Sequence, residues 1–204
     1  MTEHRHIIAI LRGILPAEIA DTVQALIDAG ITRIEVPLNS PDAFTSIKIA
    51  TARYGEEAVI GAGTVLSPGE VDNLKSCGGQ FVVSPNCDPA VIARTIELRL
   101  ESYPGVFTPT ECFAALRAGA TGLKIFPAEL CGPSGIKAMK AVLPADVPVY
   151  AVGGADPGNF AEYFAAGCAG FGLGSYLFKP GFSAGEVAER AKKAVRAYDE
   201  GKPS

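Results

Sequence analysis

The chain has 204 residues, 48% of them hydrophobic and 20% charged, with a formal net charge of −4. That apolar fraction is ample for a buried core and excludes intrinsic disorder. The sequence pI is about 5.3 and the basic residues are scattered, which argues against binding nucleic acid or an anionic membrane non-specifically.

Met1, Thr2, Glu3, His4 and Arg5 run straight into an apolar strand with no leader pattern. The first strand is expected at Ile7–Arg12. A helix face follows in Ile19, Val23, Leu26 and Ile27, closed by Ala29-Gly30. The second strand is Arg33–Leu38, and Ser40-Pro41 opens the next helix. The third strand is Val59–Thr64, followed by a capping box of Ser67 and Glu70 around Pro68. The fourth is Gln80–Pro85, followed by the cap pair Asp88-Pro89. The fifth is Glu101–Val106, with a second capping box of Thr108 and Glu111 and an Ala118-Gly119 helix end. The sixth is Gly122–Pro127. The seventh is Val149–Gly154, followed by Asp156-Pro157 and a helix ending at Ala166-Gly167. The eighth is Gly170–Ser175, and the last helix buries Val187, Ala191, Ala194, Val195 and Tyr198.

The uncharged stretch from Tyr163 to Phe178 is broken by Gly167, Gly170, Gly172 and Gly174. It reads as a helix end, a turn and a buried strand, and is too short for a membrane span. The strands recur roughly every two dozen residues and are nearly continuous in apolar residues, as in a parallel sheet covered by helices. Eight strands with eight helices predict an α/β fold, a (βα)8 TIM barrel in a single domain over residues 1–204. An open doubly wound sheet is the alternative. In a barrel the functional groups sit at the C-terminal ends of the strands.

Cys77, Cys87, Cys112, Cys131 and Cys168 are odd in number and form no C-x-x-C pair. They read as reduced, buried thiols of a cytosolic protein. His4 and His6 are the only histidines. A Ser-His-Asp triad would have to use one of them, and a zinc site with two His ligands is disfavoured.

Three strands carry a charge that the fold does not need: Arg12, Glu35 and Lys124. Alternation puts Ile34 and Val36 toward the helices and Glu35 toward the barrel axis. By the same parity Leu123 and Ile125 point outward and Lys124 inward. One reading is an ion pair that neutralises itself in the core, although desolvation often exceeds such an attraction. The other is a reactive amine beside a carboxylate. A free lysine amine has a pKa of about 10.4, so little of it is nucleophilic at neutral pH. An apolar interior and a nearby Arg both lower that value. The neutral amine attacks a ketone to form an imine, and Glu35 shuttles protons where no His is available. A second signal is the pair of glycine-rich turns, Gly153-Gly154 after strand seven and Gly174-Ser175 after strand eight. Phosphate sites in these barrels often lie there, where backbone N–H groups face the ligand. The competing reading is that these glycines only make tight turns.

Several motifs, in order along the chain, resemble the class I 2-keto-3-deoxy-6-phospho-sugar-acid aldolases. They are Ala9-Ile10-Leu11-Arg12, Ile34-Glu35-Val36-Pro37-Leu38, Gly61-Ala62-Gly63-Thr64-Val65, and Pro104-Gly105 with Thr108-Pro109-Thr110-Glu111. Leu123-Lys124-Ile125-Phe126-Pro127, Val152-Gly153-Gly154 and Gly174-Ser175 complete the set. The resemblance implies that Lys124 forms a Schiff base and Glu35 is the general acid/base. It assigns substrate binding to Arg12 and Thr64, and phosphate binding to Gly153, Gly154, Gly174 and Ser175. It also implies no cofactor, no metal, a cytoplasmic homotrimer, and a phosphorylated keto sugar acid cleaved to pyruvate and glyceraldehyde 3-phosphate.

Leu38-Asn39-Ser40-Pro41 and Val152-Gly153-Gly154 look like the 6-phosphogalactonate branch of the family. The 6-phosphogluconate branch carries an Arg-Thr or related pair at the first position and Thr-Gly-Gly at the second. The two substrates differ in configuration at C4, so Val152 is the candidate stereochemical selector. The alternatives are the 6-phosphogluconate activity or dual specificity, a metal-assisted phosphosugar epimerase on the same fold, and a non-catalytic phosphometabolite-binding barrel.

Overall fold

Alternation of side chains along the strands produces two separate apolar clusters rather than one. Ile7, Ala9, Ile34, Val36, Leu123 and Ile125 join the cluster that packs against the helices. Ile8, Ile10, Phe81, Val83, Tyr103, Tyr150 and Val152 form a second cluster inside the ring of strands. A period of two over strands covered on the outside by helices requires this division.

A computed structural model describes residues 5–202; His4 lies outside them. The strands are β1 (Ile7–Ile10), β2 (Arg33–Pro37), β3 (Val59–Gly63), β4 (Phe81–Val83), β5 (Glu101–Tyr103), β6 (Gly105–Val106), β7 (Leu123–Ile125), β8 (Val149–Val152) and β9 (Gly170–Leu173). The helices are α1 (Ile19–Asp28), α2 (Ala43–Tyr54), α3 (Pro68–Ser76), α4 (Pro89–Glu97), α5 (Pro109–Arg117), α6 (Ala128–Lys140), α7 (Phe160–Ala165) and α8 (Ala184–Gly201). All strand pairs are parallel, in the order β5-β4-β3-β2-β1-β9-β8-β7-β6. The ninth strand arises because the fifth expected strand is divided at Pro104, which has no N–H to give to a ladder. The two halves remain one stave. The Tyr103 carbonyl accepts from Ser84 N at 3.2 Å on one side, and the Pro104 carbonyl accepts from Lys124 N at 3.0 Å on the other. Those bonds join the two ends of the sheet order and close the (βα)8 barrel. No helix among the described residues is long and apolar enough to cross a membrane.

The capping boxes at Ser67 and Thr108 form as expected, and Asp88 accepts from Ala90 N. A further box of Ser183 and Glu186 starts α8. Two expected helix starts are displaced. Ser40 does not cap α2, because its hydroxyl accepts from Gly13 N at 2.8 Å, tying the first two βα loops together. α2 begins instead after Asp42. Asp156 accepts from Gly158 N at 2.7 Å within a turn, so α7 starts later, after Asn159. Gly30, Gly119 and Gly167 end their helices at φ +92°, +96° and +95°. The five cysteines are free thiols, but only Cys112 and Cys168 are buried; Cys77, Cys87 and Cys131 are half-buried because they sit at helix ends and loops.

Phe171 on β9 is fully buried and centres an aromatic group under α7 and α8. It stacks on Phe160 at 3.9 Å and meets Phe164 edge-on at 5.0 Å. Truncation of Phe171 to Ala is expected to cost about 3–5 kcal/mol in urea unfolding. A loss under about 1 kcal/mol would show that this group does not hold the last βα units to the barrel.

Candidate active site

Seven of the eight expected strands run one or two residues too far at their C-terminal ends; the fifth ends at Val106 as expected. The overrun residues Arg12, Thr64, Pro85, Phe126, Gly153, Gly154, Gly174 and Ser175 have left the ladder and line a single cleft of about 900 Å³. Backbone that leaves a sheet at this end is free to face a ligand. Arg12 is therefore a loop residue. Leu11 N makes the last bond, to the Glu35 carbonyl at 3.0 Å, and the chain then turns at Gly13. Glu35, Lys124 and Val152 line the same cleft from within β2, β7 and β8, so all nine residues singled out from the sequence meet there.

Glu35 and Lys124 are buried, at 2% and 7% exposure. Burial pushes the Glu35 carboxyl up to about 7, against the attraction of Lys124 and Arg12. Burial also lowers the Lys124 amine; Glu35 opposes that effect and Arg12 adds to it. Each group is thus driven toward its neutral form. The pair does not neutralise itself as a closed ion pair. Glu35 Oε2 is buried without a hydrogen-bond partner, and Lys124 Nζ lies 4.6 Å from the centre of the Phe126 ring. Gly63 makes this placement possible, since a Cβ there would come within bonding range of Glu35 Oε2.

Arg12 is exposed at the rim. Its Nη1 donates to Asn39 Oδ1 at 2.5 Å and to Thr64 Oγ1 at 3.4 Å. Thr64 holds φ +54°, a conformation that costs a β-branched residue about 1–3 kcal/mol. The strain aims its hydroxyl at Arg12. The guanidinium and hydroxyl together suit a carboxylate.

At the far end of the cleft, Gly153 and Gly154 both have positive φ, +92° and +76°. Glycine takes up such angles without strain and lets the backbone approach a ligand closely. Among the described residues, the amides of Gly154 and Ser175 donate to no protein acceptor. Lys179 also lines the cleft and carries positive charge, and Arg190 reaches its edge.

Sequence reasoning missed Asn39, Phe126, Asp156, Tyr176, Lys179 and Arg190. Asn39 stood in a motif noted only as a branch marker, and Phe126 stood in the lysine motif without a role. Arg190 lies well inside α8, and nothing in the sequence brings that helix to the cleft. His6 is away from the cleft; its ring nitrogen Nδ1 lies 2.7 Å from the Tyr150 hydroxyl.

A carbon-13 NMR titration of the Glu35 carboxyl is expected to give a midpoint near 7 rather than the ordinary 4.5. Lys124→Met removes the larger of the two attractions and moves the midpoint upward. A midpoint near 4.5 in the native protein would mean that the carboxylate is solvated.

Residues 1–193 match the family described as "Aldolase: KDPG and KHG aldolase". The chain is 53% identical over 195 residues to a probable 2-dehydro-3-deoxy-6-phosphogalactonate aldolase of Rhizobium meliloti, covering 96% of this chain and 92% of that one. It is 50% identical over 194 residues to the 2-dehydro-3-deoxy-6-phosphogalactonate aldolase of Escherichia coli, covering 95% of each. A solved structure titled "Native KDPGal structure" superposes with a TM-score of 0.96 at 49% identity, over 98% of both chains. The KHG/KDPG aldolase of Escherichia coli is more distant, at 33% over 144 residues, 70% of this chain and 66% of that one. A buried amine and carboxylate at the mouth of a closed barrel thus coincide with a match over nearly the whole chain, and the protein belongs to the KDPG and KHG aldolase family.

Proposed function

We propose that the protein cleaves 2-dehydro-3-deoxy-6-phosphogalactonate to pyruvate and glyceraldehyde 3-phosphate through a Schiff base on Lys124. The observation that carries this reading is the shared burial of Lys124 and Glu35 in one cleft, which moves both groups toward neutrality. The high identity to relatives of that name supports the choice of substrate.

The neutral Lys124 amine adds to the C2 carbonyl, and Glu35 in its acid form helps expel water to leave an iminium. Glu35, now a carboxylate, takes the C4 hydroxyl proton, directly or through a water. The C3–C4 bond breaks, its electron pair flows into the iminium, and the aldehyde departs. The enamine is protonated at C3 and water releases pyruvate. A carboxyl with a pKa of about 7 exchanges its proton easily in both directions near neutral pH. Arg12 and Thr64 hold the substrate carboxylate. Gly153, Gly154, Gly174 and Ser175 hold the phosphate, so binding energy from that end aligns the scissile bond.

Val152 bears on the epimer choice. It is 6% exposed, and a Cβ at Gly172 would meet its Cγ2 at 2.8 Å, so a glycine on β9 makes room for it. Its methyl groups offer no hydrogen bond to a C4 hydroxyl of the opposite configuration. A homotrimer and a cytoplasmic location accompany the family resemblance. Leu130 and Val142, 74% and 58% exposed, are apolar surface that a neighbouring copy would cover.

Borohydride added with pyruvate is expected to leave a stable adduct on Lys124, located by mass spectrometry. Lys124→Ala should lose both the adduct and more than 99% of turnover, about 3 kcal/mol or more of transition-state stabilisation. Turnover that survives the substitution would remove the imine mechanism. Coupled pyruvate-release assays on both epimers should favour the galacto substrate, and Val152→Thr should narrow that preference about tenfold. An unchanged ratio would remove Val152 as the selector.

A further inference from the structure

The phosphate end is built on the loop between β9 and α8, which Leu177 and Phe178 anchor in the core. Residues 174–183 connect β9 to α8, and a side chain added at Gly174 or Gly181 would enter open space. Gly181 holds φ +91°. Inside the loop, the Gly174 carbonyl accepts from Leu177 N at 2.8 Å and Phe178 N at 3.0 Å, making one tight turn. That turn leaves the Tyr176 carbonyl without a backbone donor. Arg190, two turns into α8, supplies it: Nη1 donates to the Tyr176 carbonyl at 3.0 Å. Among the described residues, no other side chain donates to a backbone carbonyl of this loop.

The guanidinium is itself held in place. It lies over the Phe182 ring at 4.6 Å and the Tyr176 ring at 5.9 Å, so the loop and the start of α8 grip it from two directions. α8 is a firm base for such a brace. Its capping box at Ser183 and Glu186 fixes the first turn, and Val187, Ala191 and Ala194 are fully buried against the barrel. Arg190 is half-buried and reaches the edge of the cleft. Its hydrogen bond is spent on the backbone between Ser175 and Leu177, next to the amides that face the phosphate position.

We propose that Arg190 is a positioning residue for the phosphate subsite: it braces the Gly174–Phe178 turn against α8 so that the Gly174 and Ser175 amides keep a fixed aim. This inference rests on the function proposed above. It assigns to Arg190 the backbone bond at Tyr176, and not the balance of charge, as the source of its effect. Arg and Lys differ from Gln in charge, whereas Arg and Gln share a planar N–H donor, so substitutions separate the two origins.

The test compares Arg190→Ala, Arg190→Gln and Arg190→Lys on the full chain. Two reactions are followed: cleavage of the phosphorylated substrate, and exchange of pyruvate C3 protons with deuterium from water, which uses Lys124 and Glu35 but no phosphate. Arg190→Ala is expected to raise KM for the phosphorylated substrate about tenfold, with kcat changed less than about twofold. Pyruvate exchange should stay within about twofold of the native rate, and Arg190→Gln should restore most of KM. An unchanged KM in Arg190→Ala overturns the proposal. So does restoration by Lys but not Gln, which would mark a direct charge contact with the phosphate. A parallel fall in pyruvate exchange also overturns it, since the effect would then reach the whole barrel. Failure of the native protein to exchange pyruvate protons would instead overturn the underlying aldolase reading. Should Arg190→Ala fold poorly, the Gln and Lys pair still decides between brace and charge.

Discussion

The structure depends on keeping water away from one amine and one carboxylate at the mouth of the barrel. Desolvation disfavours both charged forms, so it raises Glu35 and lowers Lys124 at the same time. The displacement of Glu35 from 4.5 to about 7 corresponds to roughly 3 kcal/mol of penalty on the charged form. A tight salt bridge would cancel that effect by stabilising both charges. The protein avoids it: Glu35 Oε2 accepts no hydrogen bond, and Lys124 Nζ sits against an aromatic ring. Arg12, at the rim, acts on both groups in the directions that keep Glu35 from rising further and Lys124 low.

The opposite end of the barrel shows what the same interior looks like when its polar groups are meant to stay put. Arg33 pairs with Glu101 and donates to the Tyr103 hydroxyl at 3.0 Å, and that hydroxyl donates to Glu101 at 2.6 Å. The Tyr150 hydroxyl lies 2.7 Å from His6 Nδ1, and its ring meets the Tyr103 ring edge-on at 5.3 Å. The guanidinium of Arg33 also lies over the Phe81 and Tyr103 rings. Apart from Arg33 Nε, which has no partner, this end is satisfied internally. Charges at the base are consumed by one another, while those at the mouth remain available. That asymmetry places the chemistry at one end only.

Much of the site was visible in the sequence because a charge inside an apolar strand is a conspicuous exception. Glu35 and Lys124 break the pattern, and the period of two assigns them to the axis. The glycine-rich turns stood out because two occurred after the strands where barrels commonly bind phosphate. Strand ends were less legible. Arg12, Thr64 and Ser175 read as strand because their neighbours are apolar, yet the ladder has already ended there. Ser40-Pro41 and Asp156-Pro157 look like helix starts, but Ser40 is claimed by Gly13 N and Asp156 by Gly158 N. A side chain that can cap a helix can equally satisfy a loop, and only the fold decides which donor is nearer.

By itself the sequence determined the alternating strand and helix units, the inward face of each strand, and the place of Glu35 and Lys124 on that face. These are local properties, set by side-chain periodicity and by caps a few residues away. Tertiary structure alone decided the rest. It split the fifth stave at Pro104 and closed the ring through hydrogen bonds on both sides of it. It set Asn39 against Arg12 and brought Arg190 from the last helix to the Tyr176 carbonyl. Those contacts join residues whose separation in the chain carries no information about their distance, and closure of the barrel is what makes them neighbours.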